Sequence, residues 1–218
     1  MTNPVRARGH VGTPASKRIL DLVITVPLLV ILSPLLVVIA VAIKLTSRGP
    51  VLFQQRRVGF NDVPFTMVKF RSMIVNAPSD DRALREAFHQ ELAGVRQAEN
   101  ASFKLDDDPR VTPVGRVLRA SSLDEITQLF NVVRGDMSLV GPRPALDWEA
   151  EAFPPEFRRR TDVLPGITGL WQVSGRSHVS TPEMLRLDLE YVDRRSLWLD
   201  IQILFRTIPV VIRGDGAR

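Results

Sequence analysis

Apolar residues are spread along this chain in two rhythms. Near the N-terminus they run together: Ile19 to Ile43 is 25 residues with one charge, Asp21, close to its start. About 20 mostly apolar residues suffice to cross a bilayer, so the stretch is long enough. Its flanks are basic on both sides, Lys17 and Arg18 before it and Lys44, Arg48, Arg56 and Arg57 after it. A spanning helix concentrates Lys and Arg on the cytoplasmic side only. Pro34, preceded by Ser33, falls near the middle. Proline removes a helical hydrogen bond and kinks the helix, and a neighbouring hydroxyl can satisfy the freed carbonyl. The pattern predicts a helix, a break at Ser33-Pro34, and a second helix returning to the same face. Residues 17–48 would then be a re-entrant membrane anchor, with a kinked spanning helix as the plainer alternative.

Beyond Gly49-Pro50 the rhythm shortens. Val51 to Val58 and Val63 to Phe70 alternate apolar and polar residues around Gly59, Asn61 and Asp62, which predicts a β-hairpin. Ser79 to Glu99 has helical spacing at Leu84, Phe88, Leu92 and Val95 among many charges, a surface helix. Asp106 to Pro109 is a turn. Short helices are predicted over Val114 to Arg119, Leu123 to Val133 and Glu156 to Asp162. Ser138 to Pro144 holds two prolines and a glycine and cannot be helical. Pro165 to Gly175 is a glycine-punctuated loop. Pro182 to Arg195 is an amphipathic helix, and Leu197 to Ile212 is apolar enough to lie in a membrane interface, with Trp198 at headgroup level. The fold class expected is α+β: the anchor, then one small cytosolic domain, residues 49–218, of helices around a hairpin. Residues 1–16, with Pro4, Gly9, Gly12 and Pro14 among arginines, are expected to be a flexible basic tail.

Charge and composition narrow the partners. The net charge is +5 and the sequence pI about 10.3, suited to phosphate groups or an anionic lipid bilayer surface. The RNA-binding aromatic motifs are missing from a chain with one Tyr, so no nucleic-acid partner is expected. There are no cysteines, which excludes disulfides and thiol nucleophiles. The three histidines are scattered, so a histidine metal site is not expected.

Candidate chemistry centres on Ser122-Leu123-Asp124-Glu125, which opens a predicted helix. S-x-x-E is a capping box in which Glu125 would reach back to the Ser122 amide, and Asp124 in a first turn complements the helix dipole. That dipole also keeps Asp124 ionised, as a metal ligand or carboxylate nucleophile must be. Arg116 and Arg119 precede the pair. Arg134 and Arg143 follow it, Arg143 between two prolines, and Arg176 closes the loop from Pro165. Guanidinium forks match phosphate oxygens two at a time, and rigid Gly/Pro turns present an arginine rather than leave it mobile. Singly, each arginine reads first as a solvated surface charge; held in rigid turns, three of them together point to phosphate.

These residues resemble a known family. KRILDL, the mid-anchor Ser33-Pro34, KFRSM (Lys69 to Met73), the run from Asp108 to Pro144, PGITGLWQVSGR and SLWLDI occur in the order seen in the bacterial sugar transferases. These are monotopic polyprenyl-phosphate phosphoglycosyl transferases. The resemblance runs from Lys17 to Ala217 and is nearest the undecaprenyl-phosphate galactose/glucose phosphotransferase branch that initiates exopolysaccharide synthesis, in a form lacking the N-terminal helical bundle of larger members. Ser174 and Ser177 stand where many relatives have Asn.

The resemblance implies that a UDP-sugar gives its sugar-1-phosphate to undecaprenyl phosphate while UMP leaves. Asp124 would be the nucleophile, forming an aspartyl-phosphosugar, with Glu125 assisting and Mg2+ at Asp124. Lys69, Arg71, Arg119, Arg143, Arg176 and Asp200 would bind substrate phosphate or nucleotide. The enzyme would sit on the cytoplasmic face of a bacterial inner membrane. Two other classes fit parts of the pattern: a non-enzymatic monotopic membrane adaptor binding anionic lipid, and a membrane nucleotide-sugar hydrolase.

Overall fold

The computed structural model describes residues 13–75, 81–94, 108–175 and 179–213. Most of the expected basic tail and Arg176 lie outside the described residues. Ala15 and Ser16, assigned to that tail, already form the first turn of a helix.

That helix, α1, spans Ala15–Thr46. It runs through Pro27 and Pro34, so Ser33-Pro34 does not divide it into two helices as expected. The local chemistry is as anticipated. Pro34 has no N–H for the Val30 carbonyl four residues back, and Ser33 Oγ donates to that carbonyl at 2.8 Å. One stripe of α1 faces the protein. Asp21, Thr25, Ile39 and Ile43 are buried, and Leu29, Leu32 and Leu36 pack on the core between them. The opposite side is apolar and exposed, with Val23, Val30, Ile31, Val37 and Val38 each more than half accessible. By length and composition α1 is able to cross a membrane.

Both ends of α1 are fastened to the same domain. Lys17 Nζ donates to Asp200 Oδ2 (2.8 Å) and to the Val140 carbonyl (3.0 Å). Arg18 donates to the carbonyls of Val132 and Val133. At the far end the Arg71 guanidinium donates to the carbonyls of Arg48 (2.6 Å) and Ser47 (2.9 Å) and to Ser47 Oγ (2.8 Å).

The hairpin forms as read: β1 (Leu52–Val58) pairs antiparallel with β2 (Pro64–Phe70), from Leu52↔Phe70 to Val58↔Pro64. Asn61 and Asp62 turn the chain with φ of 52° and 62°, a region these short polar side chains tolerate. Among the described residues no third strand covers the outer edge of β2. Instead the Val68 amide donates to Asn131 Oδ1 (3.1 Å), Asn131 Nδ2 donates to the Thr66 carbonyl (2.7 Å), and Thr127 Oγ1 donates to the Val68 carbonyl (3.0 Å). Two fully buried side chains thus replace a strand along an exposed edge.

Those side chains belong to the segment expected as one helix from Leu123 to Val133. It is a 3₁₀ turn over Leu123–Gln128 followed by the short helix α4, Leu129–Arg134. Before it, α3 (Pro113–Ala120) is capped by Thr112, whose hydroxyl accepts from the Gly115 amide at 2.9 Å. Gly115 is required by proximity: a Cβ there would lie 1.9 Å from the Ser72 carbonyl oxygen. α3 therefore sits hard against the end of β2.

The glycine- and proline-rich stretches hide a second sheet. β3 (Ser138–Val140) and β4 (Gly166–Thr168) pair in parallel, Ser138↔Gly166 and Val140↔Thr168. Three-residue strands are too short to show alternation, so the sequence excludes only a helix at β3, and the loop expected from Pro165 contains β4. Gly166 lets them close, since a Cβ there would stand 2.1 Å from the Gly141 amide nitrogen. A helix not anticipated, α5 (Asp147–Ala152), and a 3₁₀ segment at Pro155–Asp162 connect them, and α6 (Leu170–Val173) follows β4. The remaining helices are α2 (Asp81–Leu92), α7 (Thr181–Arg194) and α8 (Leu197–Arg213), the last unbroken at Pro209.

α2 is more than a surface helix. Phe88 is buried edge-on to Trp148, centroids 5.2 Å apart, and Glu91 accepts from the Thr181 amide (2.8 Å) and hydroxyl (2.7 Å) at the start of α7. The main core joins Met67, Leu129, Val132, Met137, Leu139, Val140, Leu170, Tyr191 and Ile203. Each such side chain contributes roughly 1.5–3 kcal/mol by burial. Beside this core α8 leaves Trp198, Phe205 and Ile208 exposed.

Candidate active site

Asp124 and Glu125 stand together at the start of the 3₁₀ turn, both half-buried. Ser122 adopts a left-handed conformation (φ 56°) and its side chain caps nothing, so the expected capping box does not form. Glu125 turns toward the hairpin instead. Lys69 Nζ on β2 donates to Glu125 Oε1 at 2.6 Å. The side chains are 18% and 38% accessible, so this ion pair stays open to a ligand from solvent. Thr127 in the same turn and Asn131 in the adjoining α4 tie it to β2, which sets the dyad's position relative to Lys69.

The loop Gly141-Pro142-Arg143-Pro144 is held by its carbonyls. Arg57 Nη1 donates to the Pro144 carbonyl (3.1 Å), and Arg160 Nη2 donates to the Arg143 carbonyl (2.8 Å). The Arg143 side chain is exposed and borders a cleft of about 480 Å³ that also touches Arg56, Asp62, Arg158 and Thr161. Arg57 links this loop to the dyad. Burial first, and then the neighbouring Arg143, pull its guanidinium down to about 10, while Glu149 and Glu125 push the other way. It remains a cation at neutral pH, with both Arg143 and Glu125 within electrostatic reach.

The other expected ligands fare differently. Arg119 is half-buried in the last turn of α3, three residues before Ser122 closes the step into the dyad. Arg71 is buried, and its guanidinium is held by the carbonyls of Ser47 and Arg48, just past the end of α1. Asp200 is 2% exposed. Its two oxygens accept from Lys17 (2.8 Å) and from the Tyr191 hydroxyl (2.7 Å). It too ties α1 to the domain. Burial and then the Asp200 carboxylate push the Tyr191 phenol far above its ordinary range, so it stays a donor. Arg176 lies outside the described residues. Ser33 and Pro34 lie in α1, apart from this site.

Arg57, Asn131, Thr127 and Arg160 were not anticipated from sequence. Arg57 meets Pro144 across 87 positions and Asn131 meets Val68 across 63, separations that no local pattern encodes.

Among the described residues no group of three or more His, Cys, Asp or Glu could cage a metal. The adjacent carboxylates of Asp124 and Glu125 still suit Mg2+, which keeps several waters and is commonly held by one or two carboxylates plus substrate phosphates.

Comparisons with known proteins agree on the kind of protein this is. The family model for the bacterial sugar transferases matches residues 13–214. An exopolysaccharide production protein ExoY of Sinorhizobium fredii is 43% identical over 202 residues, covering 93% of this chain and 88% of the relative. A UDP-glucose:undecaprenyl-phosphate glucose-1-phosphate transferase of Caulobacter vibrioides is 42% identical over 95% of this chain and 74% of its own length. An undecaprenyl-phosphate galactose phosphotransferase of Salmonella typhimurium is 42% identical over 92% of this chain, which spans only 41% of that longer protein. With nearly the whole length matched and the dyad held against Lys69, this chain belongs to the bacterial sugar transferases and is an enzyme of that family.

Proposed function

We propose that this enzyme transfers a sugar-1-phosphate from a UDP-sugar to undecaprenyl phosphate, releasing UMP, as the first membrane step of exopolysaccharide or O-antigen-type assembly. The observation that carries the reading is the Asp124-Glu125 pair held beside Lys69 on a buried hydrogen-bonded frame. Relatives named for the galactose and glucose reactions make those two sugars the first candidates.

In the proposed reaction an Asp124 oxygen attacks the phosphorus that bears the sugar. The bond from that phosphorus to the bridging oxygen breaks and UMP leaves with the electron pair. The lipid phosphate then attacks the same phosphorus, the bond to Asp124 breaks, and a polyprenyl diphosphate sugar is formed. The covalent route divides one displacement between two polyanions into two steps. Lys69 positions Glu125, which orients or deprotonates the acceptor phosphate. Arg143 and Arg119 offset charge on the phosphoryl oxygens. Mg2+, held at Asp124 with Glu125 beside it, would neutralise diphosphate charge as UMP departs.

We also infer that the protein is monotopic, on the cytoplasmic face of the inner membrane. Support comes from Lys17, Arg18 and Arg71, which bind opposite ends of α1 to one domain. A 32-residue helix is about 48 Å long; crossing a bilayer would carry one end some 30 Å from that domain. The exposed apolar sides of α1 and α8 then meet lipid in one leaflet, where the lipid acceptor's phosphate lies. The adaptor alternative accounts for those surfaces but leaves the Lys69–Glu125 arrangement without a purpose. The test is UMP release: UDP-galactose and UDP-glucose, each with undecaprenyl phosphate, should yield UMP and a lipid-linked sugar, and no release from any UDP-sugar would refute the reading.

A further inference from the structure

We propose that the buried pair Arg160–Asp188 is a positioning device for Arg143; this rests on the functional reading of Arg143 as a phosphate ligand. Arg160, in the 3₁₀ segment after α5, is 4% exposed, and Asp188, on α7, is 1% exposed. Arg160 Nε and Nη2 both donate to Asp188 Oδ2, at 3.0 and 2.6 Å. Nη2 also donates to the Arg143 carbonyl at 2.8 Å. The Phe153 ring packs against the guanidinium at 4.8 Å, so the fork has no freedom to swing.

Energy alone does not account for this pair. Removing two charges from water offsets most of their attraction, and well-packed apolar residues in the same space are often as stable or more so. An apolar pair could not hold a carbonyl. The Arg143 carbonyl is gripped by Arg160 and the next one, of Pro144, by Arg57 at 3.1 Å. Prolines on both sides restrict the intervening backbone. Two buried guanidiniums thus fix the root of one exposed guanidinium at the edge of the cleft. Asp188 holds Arg160 in its orientation, which connects the middle of α7 to the phosphate-binding loop.

The experiment is a mutant cycle on the full-length protein, reading KM for the UDP-sugar that wild type turns over, with thermal melting alongside. Arg160→Met with Asp188→Leu should melt within a few degrees of wild type yet raise KM about tenfold, the effect of weakening one charge-assisted phosphate contact. Arg143→Ala should raise KM at least as much, and adding the pair substitution to it should change nothing further. If the double variant does not fold, Arg160→Lys serves: it keeps the ion pair but loses the fork, and it should raise KM with little change in melting. An unchanged KM in the folded variant, or additive effects with Arg143→Ala, overturns the positioning role. If Arg143→Ala leaves KM untouched, the assignment of Arg143 fails instead, and the proposal falls with it.

Discussion

Lys69 and Glu125 form an ion pair of 2.6 Å across 56 positions, joining β2 to the turn that carries Asp124. Its half-open setting decides what removing one charge should do. Exposed pairs contribute at most about 1 kcal/mol to stability, so Glu125→Gln should melt almost as wild type does. Its turnover should nevertheless fall about 10²-fold or more if Glu125 handles the acceptor. Steady-state UMP release decides, and a variant within about twofold of wild type makes Glu125 merely structural.

The network at the start of α1 separates a structural from a catalytic Asp200. Lys17→Met strands a buried carboxylate and should destabilise by about 3–5 kcal/mol; Tyr191→Phe removes a buried donor for about 1–3 kcal/mol. Loss of activity should track loss of folded protein in melting curves. Full melting stability with abolished turnover in Asp200→Asn would instead return Asp200 to the substrate site.

Topology is open to direct labelling. Single cysteines at Thr13 and Arg56 should both react with an impermeant maleimide only from the cytoplasmic side. Reaction of the Thr13 probe from the opposite side sinks the monotopic reading. Ser33→Ala removes the hydroxyl that donates to the Val30 carbonyl, and a carbonyl left without a donor against lipid should weaken the anchor by about 1 kcal/mol, read as lower thermal stability in nanodiscs.

Gly115→Ala should be among the most damaging single-methyl additions in the protein. The new Cβ would meet the Ser72 carbonyl at 1.9 Å, and backbone must move because no flexible side chain is in the way. A loss of about 1–3 kcal/mol is expected from such overpacking, with lower turnover, since α3 leads directly into the dyad. Wild-type melting would contradict the close approach of Gly115 to Ser72.

Much of the fold was legible where periodicity is long. The outer bounds of the 17–48 anchor, the strands β1 and β2 and the amphipathic α7 all lie within a residue or two of expectation. Ser33 compensates for Pro34, as its hydroxyl beside a proline suggests, although the helix continues past it. What escaped was set by contacts distant in sequence. The S-x-x-E pattern at Ser122 promised a capping box, but the left-handed Ser122 and the pull of Lys69 turn Glu125 elsewhere. Arg71 and Asp200, which the resemblance places at the substrate site, have partners at Ser47 and at Lys17 and Tyr191 that no local motif encodes. The parallel pairing of β3 with β4 depends on Gly141 and Gly166 meeting across the fold, and those two residues looked only like turn punctuation.

The most direct measurement is a single-turnover reaction of wild type and Asp124→Asn with UDP-sugar and no lipid acceptor. Asn is well tolerated at a helix start, so the variant should fold. Wild type should release UMP up to about one equivalent and gain a sugar-phosphate mass on the peptide containing Asp124, and Asp124→Asn should do neither. UMP release that appears only when lipid phosphate is added, with no adduct by mass spectrometry, would contradict the covalent account and leave a direct displacement between the two substrates.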